Sequence, residues 1–510
     1  MRSLSSDAVV IGSGFGGSVV SRRLQEAGFQ VTVVEKGPRI DPSVDFKQTQ
    51  DPKYLMKYIH GVGNKHMSFT YAEALGGGSG FYEMVSLRAP SSAFDQRDPK
   101  TGRRLWPTGI DRESMNTYYA LSEEQISATQ IEWAEVPRTG QVFGELMRRA
   151  GHTVDRVSHA QRGCIGSGYC ITGCIYGAKQ SMLVTYLPKA EEAGTLVLTD
   201  MNVIGIQQSN DPDWKFETIC KDRNSGVELL LRSRIVVLAG GTIGTAALLQ
   251  RSSDQLPLLS KHVGKNIASA GMVKAVAFTP DNMPDADMYR GRAHSGLISY
   301  DFLESDGITI SSGKPLPLFI PLNGHLSIES RLSTSEYWGK DHVDLMKKIR
   351  TRGIVLYSIG MMPPSGSIRA DGEDITVDHG DLSMLRSYKN RVQGILQDIF
   401  ERTGCQPLKL REVDDTGVEL TDVHFGTTHM TGSCRMADTI EHGVCDANGE
   451  VFNYPGLFIA DSSALPSSLS VNPSLTILAN AERIVPILLR SLMKEVRMAR
   501  SSTRMDRDHD

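Results

Sequence analysis

A chain of 510 residues, with 40% hydrophobic and 22% charged residues, is long enough for two or three domains with sizeable cores. A formal net charge of −4 and a pI near 6.4 exclude an electrostatic case for nucleic acid or anionic membranes. No apolar run reaches the length of a membrane span, no export signal is visible, and the seven cysteines read as reduced thiols, so a cytoplasmic protein is expected.

The opening is sharply patterned. DAVVIG (7–12) predicts a short apolar strand, SGFGG breaks it, and SVVSRRLQEAGF follows with Val19, Val20, Leu24 and Ala27 at helical spacing, stopped by Gly28. VTVVEKG (31–37) is a second apolar strand. Strand, turn, helix and strand within about thirty residues make a βαβ unit, which implies parallel strands. Gly12 permits the tight turn, Gly14 lets the backbone approach a pyrophosphate, and Gly17 lets the helix pack on the strands. The helix N-terminus offers unpaired N–H groups to the phosphates. Glu35, 21 residues beyond Gly14, can accept hydrogen bonds from an adenosine ribose. The unit predicts a dinucleotide site, with FAD and a nicotinamide cofactor both open at this point.

Next, EALGGGSGFYEMVSLR (73–88) sets three glycines and a serine before an expected helix, a second anion-binding turn suited to a long cofactor. Residues 106–190 carry helical patterns and a loop, GCIGSGYCITGCIYGAK (163–179), with Cys164, Cys170 and Cys174 spaced C-x5-C-x3-C. A zinc or iron–sulfur site usually needs four ligands and commonly a C-x2-C pair, so no metal is expected and the loop reads as structural.

SRIVVLAGG (233–241) predicts another strand, followed by the helical TIGTAALLQRS (242–252). Runs such as GMVKAVAFT, PLPLFIPLNG and RGIVLYSIGMM within 266–415 suggest antiparallel strands of a second, mixed domain. DGEDITVDHGD (371–381) reads as a solvated loop, or as an acidic lid that suits a cationic substrate. HMTGSCRMA (429–437) leaves three readings: a cysteine nucleophile, a metal pair, or a histidine base. GLFIADSSALP (456–466) is a last strand, ending at Asp461. It leads to NPSLTILANAERIVPILLRSLMKEV (472–496), a long amphipathic helix with Pro473 in its first turn. A helix N-terminus aimed at a flavin ring would stabilise the negative charge that gathers near N1 and O2 on reduction. Residues 498–510 are polar and expected to form a mobile tail.

Together, VVIGSGFGGSVVSRRLQEAG with Glu35, LGGGSGFYEM, VVLAGGTIGTAALLQRS, HVGKNI, HMTGSCRM and GLFIADSSALP followed by VNPSLTILANAERI resemble the glucose–methanol–choline (GMC) oxidoreductases, a family of FAD enzymes. The resemblance runs the length of the chain and looks strongest to the cholesterol-oxidase branch. It implies an α/β fold with two domains. A Rossmann-type FAD-binding domain would be assembled from 1–105, 191–265 and 416–497, and a substrate-binding domain on a mainly antiparallel sheet from 106–190 and 266–415. It further implies His429 as the active-site histidine and Asn472 as its partner. Phe15, Gly16, Glu35, Gly77, Gly78, Ser79, Val203, Asp461, Ser462, Asn472, Pro473 and Ser474 match flavin-contacting positions, Val203 through its backbone to the adenine. Some members attach FAD through a histidine in the glycine cluster; none lies in 76–84, so a non-covalent flavin is expected. The family usually has Asn where Tyr82 stands and Ser-Pro where Thr245–Ala246 stands. Pro364, in MPPSGSI, falls where steroid oxidases carry an isomerising glutamate, which argues against a steroid.

Oxidising an alcohol to a carbonyl removes a hydride and a hydroxyl proton from one carbinol group. In the resemblance, flavin N5 takes the hydride, a neutral His429 takes the proton, and Asn472 holds the substrate oxygen. Cys434 is needed for no step and reads as a small buried residue. The expected partners are a small-molecule alcohol and oxygen or another electron acceptor. Two alternatives are a dehydrogenase for a sugar or aminosugar hydroxyl, and a flavin lyase without net redox.

Overall fold

The computed structural model describes residues 2–49, 51–64, 66–313, 326–327, 339–410 and 425–507. The first apolar run starts earlier than expected. Its strand spans Arg2–Ile11 and pairs in parallel with Glu228–Leu238 from Arg2↔Leu229 to Ile11↔Leu238. On the other flank it pairs with Val31–Val34, which in turn pairs with Leu196–Leu198, both parallel. Glu228–Leu238 changes neighbours along its length. Its first half pairs antiparallel with Phe216–Asp222, followed outward by Met201–Gln208, and its last residues pair in parallel with Leu457–Ile459. Strands remote in sequence thus share one sheet, and its parallel centre, 8–11, 31–34, 235–238 and 457–459, is built of mostly Val, Ile and Leu residues buried on both faces.

The register sets the ends of the parallel strands level: Ile11 lies beside Val34 and Leu238, and Leu238 beside Ile459. Gly12, Glu35, Ala239 and Ala460 therefore leave the sheet along a single edge. The helices that follow run back across the sheet. Phe15–Glu26 stops where Gly28 takes φ 90°, and buries Val19, Val20 and Leu24. Gly241–Arg251 and Ser474–Arg507 follow the other two strands. The last helix is not broken where the polar tail was expected. It continues through 498–507, where no glycine or proline interrupts it, and 508–510 lie outside the described residues.

A second sheet is antiparallel throughout. It runs from Leu326–Ser327 through Gln406–Leu410, Lys274–Phe278, Gly353–Gly360, Ile308–Gly313 and His294–Ser299 to Asp155–Arg156. Helix Leu382–Arg402, capped by Asp381 accepting from the Ser383 and Met384 N–H groups, packs against Lys274–Phe278 and Gln406–Leu410. The expected strands near 274 and 353 are present. PLPLFIPLNG, at 315–324, and 416–424 lie outside the described residues. The acidic run at 371–381 begins in a hairpin, Ser367–Asp371 paired with Asp374–Asp378.

One expected element is absent. LGGGSGFYEM opens no α-helix, only a single 3-10 turn at Gly77–Gly80. Met84 adopts φ 66°, a left-handed conformation that a continuing right-handed helix does not allow. Among the described residues, no helix is long and apolar enough to cross a membrane.

Candidate active site

The edge where the parallel strands end opens on a cavity of about 1040 Å³. It is bounded below by the glycine turns and above by the antiparallel sheet. Of the residues expected at a cofactor, Gly12, Gly14, Phe15, Gly16, Glu35, Gly77, Gly78, Val203, Asp461, Ser462, Asn472, Pro473 and Ser474 all line it, as does His429. Gly17 and Ser79 stand behind the wall. A Cβ on Gly17 would lie 2.0 Å from the Gly12 carbonyl oxygen, so this glycine serves the helix–strand approach. Ser79 is turned into the protein, where its hydroxyl donates to the Gly76 carbonyl (2.6 Å) and accepts from the Met182 N–H (3.1 Å).

The two glycine-rich turns meet. A Cβ on Gly77 would come 3.1 Å from Gly14 Cα, and the Gly76 N–H donates to Ser13 Oγ at 2.9 Å. A Cβ on Gly14 or Gly78 would meet nothing within 4 Å, so both backbones face open space. Glu35 closes one end. Its Oε2 accepts from the Ser13 N–H (3.0 Å) and hydroxyl (2.5 Å), and its Oε1 from the Gly37 N–H (2.8 Å). Burial pushes its carboxyl up, against these hydrogen bonds, which lower it. Each oxygen keeps lone-pair capacity for a further donor.

Asp461 is held differently. Oδ1 accepts from the Ser463 N–H and hydroxyl, and Oδ2 from the Gly241 N–H (2.8 Å) and the Thr245 hydroxyl (2.5 Å). Thr245, one of the departures from the family pattern, thus ties the helix Gly241–Arg251 to the end of the last parallel strand. Tyr82, the other departure, lines the cavity and packs edge-on against Phe15, with ring centroids 5.3 Å apart.

His429 sits in the kink between Phe425–Thr427, paired with Met67–Ala72, and Met430–Thr431, paired with Ala268–Ser269. Its N–H donates to Thr427 Oγ1 at 2.9 Å, which fixes the backbone. Asn472, two residues before the long helix, donates from Nδ2 toward His429 Nε2 at 3.4 Å, so in this arrangement Nε2 presents a lone pair. Nδ1 is buried without a hydrogen-bond partner among the described residues. Burial lowers the imidazole to about 4, which keeps it neutral and able to take a proton at neutral pH. Cys434 is fully buried, and burial, more than the nearby Asp461 carboxylate, pushes its thiol up to about 12, so it is no nucleophile. All seven cysteines are free thiols.

Sequence reasoning missed several residues. Ser13 bridges Glu35 and the second glycine turn; Glu83, Lys274 and Tyr357 line the cavity on the side of the antiparallel sheet. Pro364 is not among the lining residues. The site fits an extended flavin dinucleotide: two facing glycine turns with no side chain between them, a carboxylate at one end, and a histidine–asparagine pair in the same space.

The comparisons agree with this geometry. Family models described as GMC oxidoreductase match residues 6–269 and 369–481. A cholesterol oxidase of Mycobacterium tuberculosis is 26% identical across 94% of this chain and 90% of its own length. A paromamine 6'-oxidase of Streptomyces fradiae is 27% identical across 94% of this chain and 90% of its own. The crystal structure of a pyridoxine 4-oxidase from Mesorbium loti superposes with a TM-score of 0.67 over 95% of this chain and 99% of its own, at 16% identity. Fold, site and sequence lead to one conclusion: the chain belongs to the GMC oxidoreductase family of FAD flavoproteins.

Proposed function

We propose that this protein oxidises an alcohol to the corresponding carbonyl compound, with His429 as the base and Asn472 as the group that orients the substrate oxygen. The observation that carries the reading is the Nε2 lone pair of His429, aligned with the Asn472 amide inside the cavity bounded by the glycine turns. When bound, FAD supplies the hydride acceptor, N5.

The chain's own residues do the rest. Gly14, Gly77 and Gly78 leave room for the pyrophosphate, and the N-terminus of Phe15–Glu26 directs its free N–H groups at it. Glu35 takes the ribose hydroxyls. Val203 offers its backbone to the adenine. The N-terminus of the long helix, behind Asn472 and Pro473, favours negative charge at the flavin ring. Asn472 donates to the substrate oxygen, which sets the carbinol C–H toward the ring. His429 Nε2 removes the hydroxyl proton as the C–H bond breaks; its burial-lowered basicity keeps it in the accepting form until then. FAD is held without a covalent link, since residues 76–84 contain no histidine. Oxygen or another electron acceptor would serve as the second substrate. Free thiols throughout suit a reducing compartment such as the cytoplasm.

The test is anaerobic titration of the FAD-loaded protein with alcohols. Bleaching of the flavin by an alcohol, with the carbonyl compound formed in equal amount, supports the reading. Turnover with the flavin colour unchanged would identify a lyase instead.

A further inference from the structure

Five acids line the cavity: Glu35, Glu73, Glu83, Glu373 and Asp461. Four have an evident answer to their charge. Glu35 and Asp461 accept the hydrogen bonds already described, Glu73 is paired with Lys36, and Glu373 is exposed and faces Arg251. Glu83 differs. Among the described residues, no hydrogen bond and no ion pair within 4 Å engages its carboxyl group.

Its presentation is built rather than incidental. Lys179, 2% exposed, sends its ammonium to the carbonyls of Gly80, Tyr82 (3.4 Å) and Cys170 (2.7 Å), clamping the backbone just before Glu83 to the cysteine-rich loop. Immediately after, Met84 is held at φ 66°, a left-handed conformation that costs a non-glycine residue about 1 kcal/mol. The next residue, Val85, accepts from Ser474 Oγ at 3.2 Å, tying this segment to the helix that carries Asn472. A Cβ added at Gly313 would lie 3.3 Å from Tyr357 Cε1 and 3.9 Å from Glu83 Oε1, so these three form one wall beneath the antiparallel sheet. The missing side chain at Gly313 leaves that wall open.

We propose that Glu83 is the specificity-determining residue of the cavity, and that its carboxylate receives a protonated amine carried by the alcohol substrate. The inference rests on the alcohol-oxidising function proposed above and names its substrate class: amino alcohols. A half-buried carboxylate without a partner has lost part of its hydration, and an ammonium group entering the same cavity offsets that loss better than a neutral hydroxyl. Burial moves the Glu83 carboxyl up to about 7, so a cation arriving at neutral pH draws it into the charged form. The other titratable groups that act on it are the Lys274 ammonium, the Tyr357 phenol and the Cys170 thiol. Lys274 is an exposed side chain at the start of its strand, free to leave the carboxylate to a ligand.

The probes are ω-amino alcohols of several chain lengths and α,ω-diols of matching length, which carry a hydroxyl where the amine stood. Binding to the FAD-loaded protein is measured by calorimetry and, separately, flavin bleaching is followed without oxygen. The best amino alcohol should bind about tenfold or more tightly than its diol. Glu83→Gln should abolish that ratio, and Glu83→Asp should keep part of it. A ratio within one protein cancels any general loss of stability. Equal affinities in the wild type, binding by no amino alcohol, or a preference that survives Glu83→Gln would overturn the proposal. Calorimetric preference without bleaching by any probe would leave Glu83 standing and count against alcohol oxidation, so the two readings fail separately.

Discussion

Glycines with opposite tasks make the cofactor assignment testable without chemistry. Gly14 has φ −66° and ψ −162°, a conformation open to any residue, and a Cβ there would meet no atom within 4 Å. Gly14→Ala should therefore leave the apoprotein at least as stable as wild type, with a gain of about 0.4–1 kcal/mol from the stiffer unfolded chain. On the proposed placement of the cofactor, the methyl group projects into space that the pyrophosphate would occupy. Overpacking of that kind costs about 1–3 kcal/mol, or roughly fivefold to 140-fold in FAD affinity. Gly16→Ala should do the reverse. Its Cβ would lie 1.6 Å from the Ala460 carbonyl oxygen, so the helix must move off the last parallel strand, at a cost upward of about 3 kcal/mol. Urea unfolding of the apoproteins and titration with FAD, followed by flavin fluorescence, separate the two effects. A Gly14→Ala variant that binds FAD like wild type, or that unfolds earlier without it, would refute the placement of the pyrophosphate beside Gly14.

The remaining predictions follow from the same geometry. Glu35→Lys should weaken FAD retention on gel filtration, because a cation replaces the acceptor for the ribose and leaves the Ser13 and Gly37 N–H groups unanswered. Buried His159 and His294 and half-buried His429 are all lowered, His294 to about 3 and His429 to about 4, chiefly by loss of hydration. The unfolded chain, with histidines near 6.5, then binds more protons than the folded one below that pH. Stability should be full above about pH 6.5 and fall toward pH 4, by about 1.4 kcal/mol per pH unit for each histidine at the limit, as read from melting temperatures across that range. Lys179→Met should destabilise the fold by about 2 kcal/mol or more in urea, since three buried carbonyls lose a donor.

How much of this was legible in the sequence depended on how local each constraint is. Gly12, Gly14, Gly17 and Glu35 could be read directly, because a tight strand–helix turn and the end of the next strand fix them within one βαβ unit. His429 and Asn472 are 43 residues apart, and nothing in spacing brings them together; only the family resemblance paired them. Ser79 was legible as part of the turn but not in its direction, which follows from its bond to Met182. The helix expected after the glycine cluster failed at Met84, whose left-handed backbone leaves no local signal. Glu83 stayed hidden for the same reason. Its direction is set by Lys179, 96 residues away, and by the antiparallel strands that bring Gly313 and Tyr357 beside it. Thr245 departs from the family pattern, and only the fold gives its role, a hydroxyl hydrogen bond to Asp461.

The most direct trial of the account is the anaerobic rate of flavin reduction in a His429→Ala variant, by stopped-flow with whichever alcohol bleaches the wild type. FAD content should be retained, since His429 makes no contact that the glycine turns or Glu35 depend on, while reduction slows roughly 100-fold or more. Reduction at the wild-type rate in a fully loaded variant would show that the proton leaves by another route, and His429 would lose its place in the mechanism.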